Sequence, residues 1–178
     1  MDGGITNPKS SRIGDAALAR RLGRELAGDV WFDAHSRGRY STDASIYQIE
    51  PIGVVAPRTV DDIAAAIDIA REEGVPLLPR GGGTSQCGQT VGEALVVDTS
   101  KYLNRVIDFD AKAGIVSVEP GLVLDHLNAW LRPHGVFFPV DPSTSAQCTL
   151  GGMTANNSAG ARSLRYGIMV DNVTAIDA

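Results

Sequence analysis

Three consecutive glycines, Gly81 to Gly83, are followed by two hydroxyl residues, Thr84 and Ser85, and then by Gly88. A chain without Cβ atoms can adopt positive φ and can bring its backbone N–H groups close to a ligand. A row of such donors forms a concavity that suits an anion. The sequence therefore predicts a phosphate or pyrophosphate site in this loop.

Two familiar phosphate motifs do not fit the loop. Gly83 to Thr90 follows the nucleoside triphosphatase pattern G-x-x-x-x-G-K-[ST] except that Gln89 replaces the lysine, which argues against such an enzyme. In the dinucleotide pattern G-x-G-x-x-G the third glycine would fall at Gln86, and no helical apolar pattern follows. An ordinary glycine-rich turn between two strands remains the alternative.

A second glycine-rich segment runs from Thr149 to Gly160. Gly151 and Gly152 open a stretch of small residues that could begin a helix, whose first N–H groups would point at a ligand. Its polar residues could bond a heterocycle or a pyrophosphate, although such residues in loops more often satisfy their own backbone. Two glycine-rich sites in one α/β chain predict a long ligand that lies between two lobes.

The elements that position the first loop form a predicted β-α-β unit. The strand Ile52–Ala56 precedes a helix capped by Thr59, and a second strand covers Val75–Leu78. This apolar run predicts a buried strand, and the crossover should be right-handed. The loop follows the carboxyl end of a strand, the usual ligand edge of an α/β sheet. Asp62 completes the cap, Gly74 ends the helix, and its predicted buried stripe is Ile63, Ile67 and Ala70.

The pattern of apolar residues and turn signals predicts the remaining elements. In chain order they are a helix within 15–28 on Leu18, Leu22 and Leu26, an ordered loop or helical turn over 31–47, a strand over 94–98, a hairpin of 105–109 and 115–118, a helix over 122–132 with Leu124, Leu127 and Leu131 on one face, and the start of a strand over 173–178.

Four regions follow from this order of elements. They are a disordered leader over 1–14, an N-terminal helix and loop over 15–48, a first subdomain over 49–103 that carries the loop, and a second, incomplete subdomain over 104–178. The leader is rich in Gly, Ser, Asn and Pro and has no periodicity, which is typical of disorder.

Composition excludes several classes of protein. The chain has 178 residues, 43% of them hydrophobic, and a net charge of -5, so it offers no basic field for nucleic acid. No apolar run approaches the roughly 20 residues that span a bilayer, and no signal pattern begins the chain. We expect a cytoplasmic protein. Cys87 and Cys148 have no metal-site spacing and are expected to line a packed pocket, and His126 and His134 are expected at the surface.

The joint occurrence of Pro79–Ser85, Pro139–Ser143 and Gly151–Asn157 resembles the FAD-binding domain of the vanillyl-alcohol-oxidase and p-cresol-methylhydroxylase (PCMH) superfamily. Tyr40–Ser45 and Ile52–Arg58 look most like FAD-linked D-lactate dehydrogenases, glycolate oxidase D-subunits and related 2-hydroxyacid dehydrogenases, including forms fused to an iron–sulfur domain. The resemblance implies an α+β fold of α/β-type units, with FAD between two subdomains and the second subdomain truncated at the C-terminus.

By resemblance, the loop from Arg80 to Gln89 binds the pyrophosphate and the second segment lines the flavin. Some relatives join a histidine covalently to the flavin, and Thr84 stands at the matching place here, so the resemblance implies non-covalent FAD. The implied cofactor-binding residues are Pro79, Arg80, Gly81, Gly82, Gly83, Thr84, Ser85, Gly88, Gln89, Pro142, Ser143, Thr149, Gly151, Gly152, Ala155, Asn156, Asn157, Ser158 and Gly160.

The implied reaction of an intact relative is oxidation of a small 2-hydroxy acid to the 2-keto acid, with hydride transfer to FAD. The family places its catalytic groups in a later cap domain, so the resemblance assigns no catalytic residue and no metal to this sequence, and this part alone is expected to be inactive. An iron–sulfur cluster would belong to a later region, and partner subunits are conceivable. The alternatives are a UDP-N-acetylenolpyruvoylglucosamine reductase-like enzyme and a non-catalytic flavin-binding subunit.

Overall fold

The computed structural model describes residues 12–177, which form two hydrophobic cores in chain order. Of the predicted leader, residues 1–11 lie outside the described residues. Within the rest of it, the amide of Gly14 donates to the carbonyl of Ile52 at 2.9 Å, and Arg12 donates to the carboxylate of Asp15 and to Glu73. Residues 12 to 14 are therefore hydrogen bonded to the first half of the chain.

A four-stranded sheet organises the first half. Its strands are β1 (Asp29–Trp31), β2 (Gly53–Ala56), β3 (Leu77–Arg80) and β4 (Leu95–Asp98), in the order β1-β2-β4-β3. β1 is antiparallel to β2, and β4 is parallel to both β2 and β3. β2 and β4 are buried throughout, which agrees with their continuous apolar sequences.

The position of β3 differs from the prediction. It begins two residues later than expected, it has β4 as its neighbour among the described residues, and its side chains are half-buried or exposed. The buried place in the sheet is taken by β4, whose sequence contains no proline. Pro79 can lie within β3 because a strand at an edge does not need every N–H for the sheet.

Three helices accompany this sheet: α1 (Ala16–Glu25), α2 (Ala34–Tyr40) and α3 (Val60–Glu72). The leucine stripe of α1 is confirmed, since Leu18, Leu22 and Leu26 are all buried. The segment predicted as an ordered loop or helical turn contains β1's last residue and α2. The predicted cap of α3 is also confirmed, because the Thr59 hydroxyl accepts from the amide of Asp62 at 3.1 Å.

The predicted buried stripe of α3 is only partly right. Ala70 is buried as predicted and Ile63 is half-buried, but Ile67 is 45% exposed, and Ala66 and Ile69 are buried instead. Asp62 decides the rotation of the helix, because its buried carboxylate accepts the amides of Ala27 and Arg58, each at 2.8 Å. A buried carboxylate must keep such partners, so this face of the helix turns inward.

The second half combines a hairpin with short helices. The hairpin consists of β5 (Val106–Asp110) and β6 (Ile115–Val118), and it is followed by α4 (Leu124–Leu131) and a 3₁₀ turn (Arg132–His134). The remaining helices are α5 (Leu150–Ala155), α6 (Ser163–Tyr166) and α7 (Met169–Asn172). The predicted hairpin and helix are confirmed, and Leu124, Leu127 and Leu131 lie in the second core.

The strand predicted from residue 173 onward is not formed in residues 173–177, which have no regular structure. β5 and β6 pair with each other, and no strand pairs with residues 173–177 within the described residues. An extended segment becomes a strand only when a neighbour takes its backbone hydrogen bonds, so apolar sequence alone does not suffice. Among residues 12–177, no helix is long and apolar enough to cross a membrane.

The first core predicts a large effect for truncation of α1. We expect Leu22→Ala to lower the free energy of unfolding by about 2–5 kcal/mol, because Leu22 is fully buried and a cavity would remain. Leu164→Ala is the matched control, since this side chain is fully exposed on α6, and should change stability by less than about 0.5 kcal/mol. Urea unfolding measures both values, and equal effects would contradict this placement of α1.

The N-terminus of α1 predicts a dependence of stability on pH. Asp15 accepts the amides of Leu18 and Ala17, and these bonds, with one from Arg12, lower the pKa of its carboxyl group. A lowered pKa adds stability that is present above the ordinary value of about 4 and is lost as pH falls through the lowered value.

Asp15→Ala should lower the free energy of unfolding by about 1 kcal/mol at neutral pH, because the cap is lost. Asp15→Asn keeps an oxygen that accepts the amides, so it should stay near the wild type at neutral pH and lose the acid-dependent part of stability. Urea midpoints from pH 7 down to pH 3 test both variants. An acid dependence in Asp15→Asn identical to that of the wild type would refute this assignment.

Candidate cofactor-binding site

The two glycine-rich segments meet in the structure. A Cβ atom at Gly81 would overlap the hydroxyl oxygen of Thr149, and a Cβ atom at Gly82 would overlap the carbonyl oxygen of Gln147. Both positions therefore need glycine for close approach of the backbone rather than for an unusual φ. The loop that leaves the first core thus lies directly against the segment that enters α5 in the second core.

The first loop presents unused backbone donors. Within residues 12–177, none of the amide N–H groups of residues 81 to 86 donates a hydrogen bond to another protein group. Gly83 and Gly88 have φ of 64° and 73°, a left-handed conformation that favours glycine. Consecutive N–H groups on such a turning backbone form an anion-binding concavity.

The hydroxyl residues of the first loop differ in their contacts. The Ser85 hydroxyl donates to the side-chain oxygen of Gln89 at 2.9 Å and accepts the amide of Cys87 at 3.2 Å, so it closes the loop on itself. Thr84 makes no hydrogen bond in the described part of the chain, so its hydroxyl has no protein partner there. Pro79 lies before the loop, exposed on β3.

The Arg80 guanidinium is hydrogen bonded to the protein and does not point into solvent. Its guanidinium donates to the carbonyls of Tyr40 at 3.3 Å, Thr90 at 3.0 Å and Thr42 at 2.8 Å. Burial lowers the pKa of Arg80, although the nearby carboxylates of Asp98 and Asp43 oppose the shift. The residue stays charged at neutral pH because an arginine side chain does not lose its proton in proteins.

The second segment is hydrogen bonded both within itself and to neighbouring parts of the second half. Thr149 is buried and its hydroxyl accepts the amide of Gly152 at 3.4 Å, which caps α5. The amide of Gly151 donates to the carbonyl of Pro120 at 2.8 Å. Asn157 takes a φ of 47° and accepts the amide of Val170 at 3.0 Å.

The other residues predicted in the second segment hold its turns. The Asn156 amide group donates to the Ser158 hydroxyl at 3.0 Å, and the Gly160 amide donates to the Ser163 hydroxyl at 2.9 Å. Pro142 accepts the amide of Ser145, while Ser143 and Ala155 are exposed. The structure thus brings together Gly81, Gly82 and Thr149, and it leaves Ser143 and Ala155 accessible.

Three residues that support the loop were not among the predicted site residues. The Asp43 carboxylate accepts a hydrogen bond from the Thr90 hydroxyl at 3.0 Å. The Tyr47 ring packs so closely against Gly88 that a side chain at that position would collide with it. The Tyr40 hydroxyl donates to Asp98 at 2.6 Å, and burial and this carboxylate raise the pKa of Tyr40. No spacing in the sequence identifies these contacts, since each joins residues that are far apart in the chain.

The two cysteines have different environments. Cys148 is buried in the second core, and burial raises the pKa of its thiol, as expected for a residue in a packed pocket. Cys87 is exposed, so the prediction that it lines a packed pocket is wrong: the loop around it is closed by Ser85 and Gln89 instead. His126 and His134 are exposed as predicted, and no group of metal-ligating side chains exists among residues 12–177.

Two surface clefts lie on the second half of the molecule. One of about 490 Å³ is lined by Phe137, Arg162, Arg165 and Tyr166, and one of about 540 Å³ adjoins α7 and includes Asn157. Neither has a residue of the first loop in its lining. The features of the first loop that could hold an anion are therefore its amides and its contact with the second segment, not either of these clefts.

This arrangement fits the pyrophosphate of FAD. The first loop offers the unused amides of residues 81 to 86 and the Thr84 hydroxyl, all of them donors that suit phosphate oxygens.

Comparison with known proteins supports the same cofactor. Residues 51–178 match a family model described as FAD binding domain. The chain is 41% identical over 156 residues to the D-2-hydroxyglutarate dehydrogenase of Escherichia coli, covering 86% of this chain and 15% of the relative. It is 37% identical over 158 residues to the glycolate oxidase subunit GlcD of Bacillus subtilis, covering 86% of this chain and 33% of the relative. The chain thus spans a third or less of these relatives.

A solved structure confirms the predicted fold. Alkyldihydroxyacetonephosphate synthase superposes with a TM-score of 0.78 at 22% identity, covering 87% of this chain and 34% of that chain. This likeness establishes the PCMH-type FAD-binding fold with its mixed helices and strands. Because the family model covers most of the sequence and the structural likeness agrees with it, the chain belongs to the FAD binding domain family.

Proposed function

We propose that the chain is the FAD-binding part of a flavoenzyme that oxidises a 2-hydroxy acid to the corresponding 2-keto acid. The observation that carries the proposal is the likeness to D-2-hydroxyglutarate dehydrogenases and to a glycolate oxidase subunit over nearly the whole described chain. Both relatives are named for small 2-hydroxy acids. The convergence of the two glycine-rich segments supports the cofactor part of the proposal.

The residues of the first loop would hold the pyrophosphate of FAD. The amides of residues 81 to 86 and the Thr84 hydroxyl would supply the donors, and Arg80 is bonded to backbone carbonyls behind them. The second segment, with Thr149, Gly151 and the exposed Ser143 and Ala155, would line the remainder of the cofactor. Thr84 is not a nucleophile for flavin attachment, so we propose that FAD is bound without a covalent bond at that position.

FAD, when bound, supplies the redox chemistry by accepting the hydrogen of the substrate's α-carbon as a hydride. The described residues of this chain bind and orient the cofactor, and they exclude water where the two glycine segments touch. We assign no catalytic acid or base to this chain.

The alternative is a flavin-binding subunit whose chemistry lies on another chain. The Bacillus subtilis relative is itself named as a subunit, which favours this second candidate. Purification of the natural protein with its native partners tests it: an enzyme that oxidises 2-hydroxy acids as a single polypeptide would exclude the subunit hypothesis.

The proposed site predicts that the chain takes up FAD. Titration of the flavin-free chain with FAD should quench flavin fluorescence to saturation, and acid precipitation should release the yellow cofactor. A colourless chain that does not quench flavin fluorescence would contradict the proposed function.

Gly82→Ala should weaken FAD binding by roughly tenfold to a hundredfold, because overpacking costs about 1–3 kcal/mol. The new methyl group would collide with the Gln147 carbonyl and push the two segments apart. Gly23→Ala is the matched control, since a Cβ atom there meets nothing within 4 Å and lies in α1. Equal dissociation constants for the two variants would show that close approach of the segments does not matter for FAD.

A further inference from the structure

The segment from Tyr40 to Tyr47 precedes the part of the chain that matches the family model, residues 51–178. It nevertheless contacts the first glycine loop along its length. The amide of Ala44 donates to the carbonyl of Gly83 at 3.1 Å. The Tyr47 ring lies against Gly88, so that a side chain there would collide with it. These contacts cover both left-handed glycines of the loop.

Arg80 connects this segment with the loop through hydrogen bonds. Three of its hydrogen bonds reach backbone carbonyls, two of them in the segment, at Tyr40 and Thr42, and one at the far end of the loop, at Thr90. A Cβ atom at Gly83 would lie 2.5 Å from the guanidinium nitrogen, so the loop backbone rests on the planar group. One half-buried guanidinium therefore fixes the start, middle and end of the loop relative to the segment.

Tyr40 fixes the guanidinium in turn. The Arg80 guanidinium carbon lies 5.3 Å from the centre of the Tyr40 ring, which is within the range of a cation–π contact. The Tyr40 hydroxyl donates to Asp98 at the end of β4, and Asp98 also accepts the amide and the hydroxyl of Ser100. The chain of contacts thus leads from the buried sheet through Tyr40 and Arg80 to the loop.

Asp43 provides a second and independent attachment. One oxygen of its carboxylate accepts the Thr90 hydroxyl at 3.0 Å and the other accepts the amide of Ser45 at 2.8 Å. Burial acts to raise the pKa of Asp43, and the hydrogen bonds from Ser45 and Thr90 outweigh it, so the pKa is lowered. The carboxylate is therefore charged at neutral pH and holds the end of the loop at Thr90.

We propose that residues 40–47 are part of the FAD site and that Arg80 is a positioning residue, which shapes the loop through the carbonyls of Tyr40, Thr42 and Thr90. The inference rests on the proposed function and assigns a role to a segment outside the matched domain. A loop that is held in its binding conformation before FAD arrives loses less conformational freedom on binding. The Arg80 guanidinium holds the loop in that conformation, and the amides of residues 81 to 86 stay free to bind the phosphates of FAD.

Amide hydrogen exchange of the flavin-free chain tests the positioning role without any cofactor. In Arg80→Met, the hydrogen-bonded amides at this contact, those of Ala44, Cys87, Gln89 and Thr90, should exchange at least about tenfold faster, because local opening would cost roughly 1.4 kcal/mol less. Exchange in the core strands β2 and β4 should stay unchanged. Arg71→Met is the matched control, since Arg71 is largely exposed and pairs with Asp68 on its own helix.

Fluorescence titration with FAD then links the loop to binding. Arg80→Met should raise the dissociation constant by about tenfold, with the same dependence on salt concentration as the wild type, because no direct ion pair with a phosphate is lost. Arg71→Met should bind as the wild type does. If exchange of the loop in the flavin-free chain is unchanged while binding weakens and the salt dependence falls, Arg80 is a direct phosphate ligand and the inference is overturned.

Thr90 offers a milder pair of variants in case Arg80→Met does not fold. Thr90→Val keeps the shape of the side chain and removes the hydroxyl that Asp43 accepts, so it should speed loop exchange and weaken FAD binding severalfold. Thr90→Ser keeps the hydroxyl and should restore both values. Failure of Thr90→Ser to differ from Thr90→Val would refute the attachment through Asp43.

The experiments separate the two proposals. A wild-type chain that takes up no FAD overturns the proposed function and, with it, the inference. A wild-type chain that binds FAD, with variants that bind equally well, leaves the function standing and overturns the inference alone.

Discussion

Close contact at two glycines, where no side chain would fit, joins the two halves of this molecule. At Gly81 and Gly82 the first loop touches Thr149 and the Gln147 carbonyl so closely that no Cβ atom fits. Each half has its own hydrophobic core, and this contact lies where the loop after β3 reaches the start of α5. Protein interiors tolerate little displacement, so the shape of one segment constrains the shape of the other.

Polar side chains packed against the first loop explain why a glycine-rich segment can keep one conformation. Glycine loses more conformational freedom on folding than any other residue, so three in a row favour disorder. Arg80, Tyr40 and Asp43 offset that cost with hydrogen bonds from one side of the loop, and the second segment confines the other side. These side chains stabilise the conformation of the loop, and the amides of residues 81 to 86 stay available for an anion.

Local signals in the sequence predicted local structure well. The Thr59 cap, the leucine stripe of α1 and the hairpin of β5 and β6 depend on residues close in the chain, and all are confirmed. On α3, Ala70 is buried as predicted but Ile67 is exposed, because the helix turns Asp62 inward to accept the amide of Ala27, a contact that no helical period reveals. The supports at Tyr40 and Asp43 were missed for the same reason, since backbone carbonyls and distant hydroxyls leave no pattern in a sequence.

Pro79 has a consequence for the outer side of the sheet. The carbonyls of Pro76 and Arg80 accept amides from the β4 side, so by alternation the backbone of residue 79 faces away from β4. An outward row of amides is a template on which another chain can add a strand. Proline has no N–H to offer there, and it stands directly before the glycine loop. The residue before the glycine loop therefore leaves a gap in the row of donors that an added strand would need at this edge.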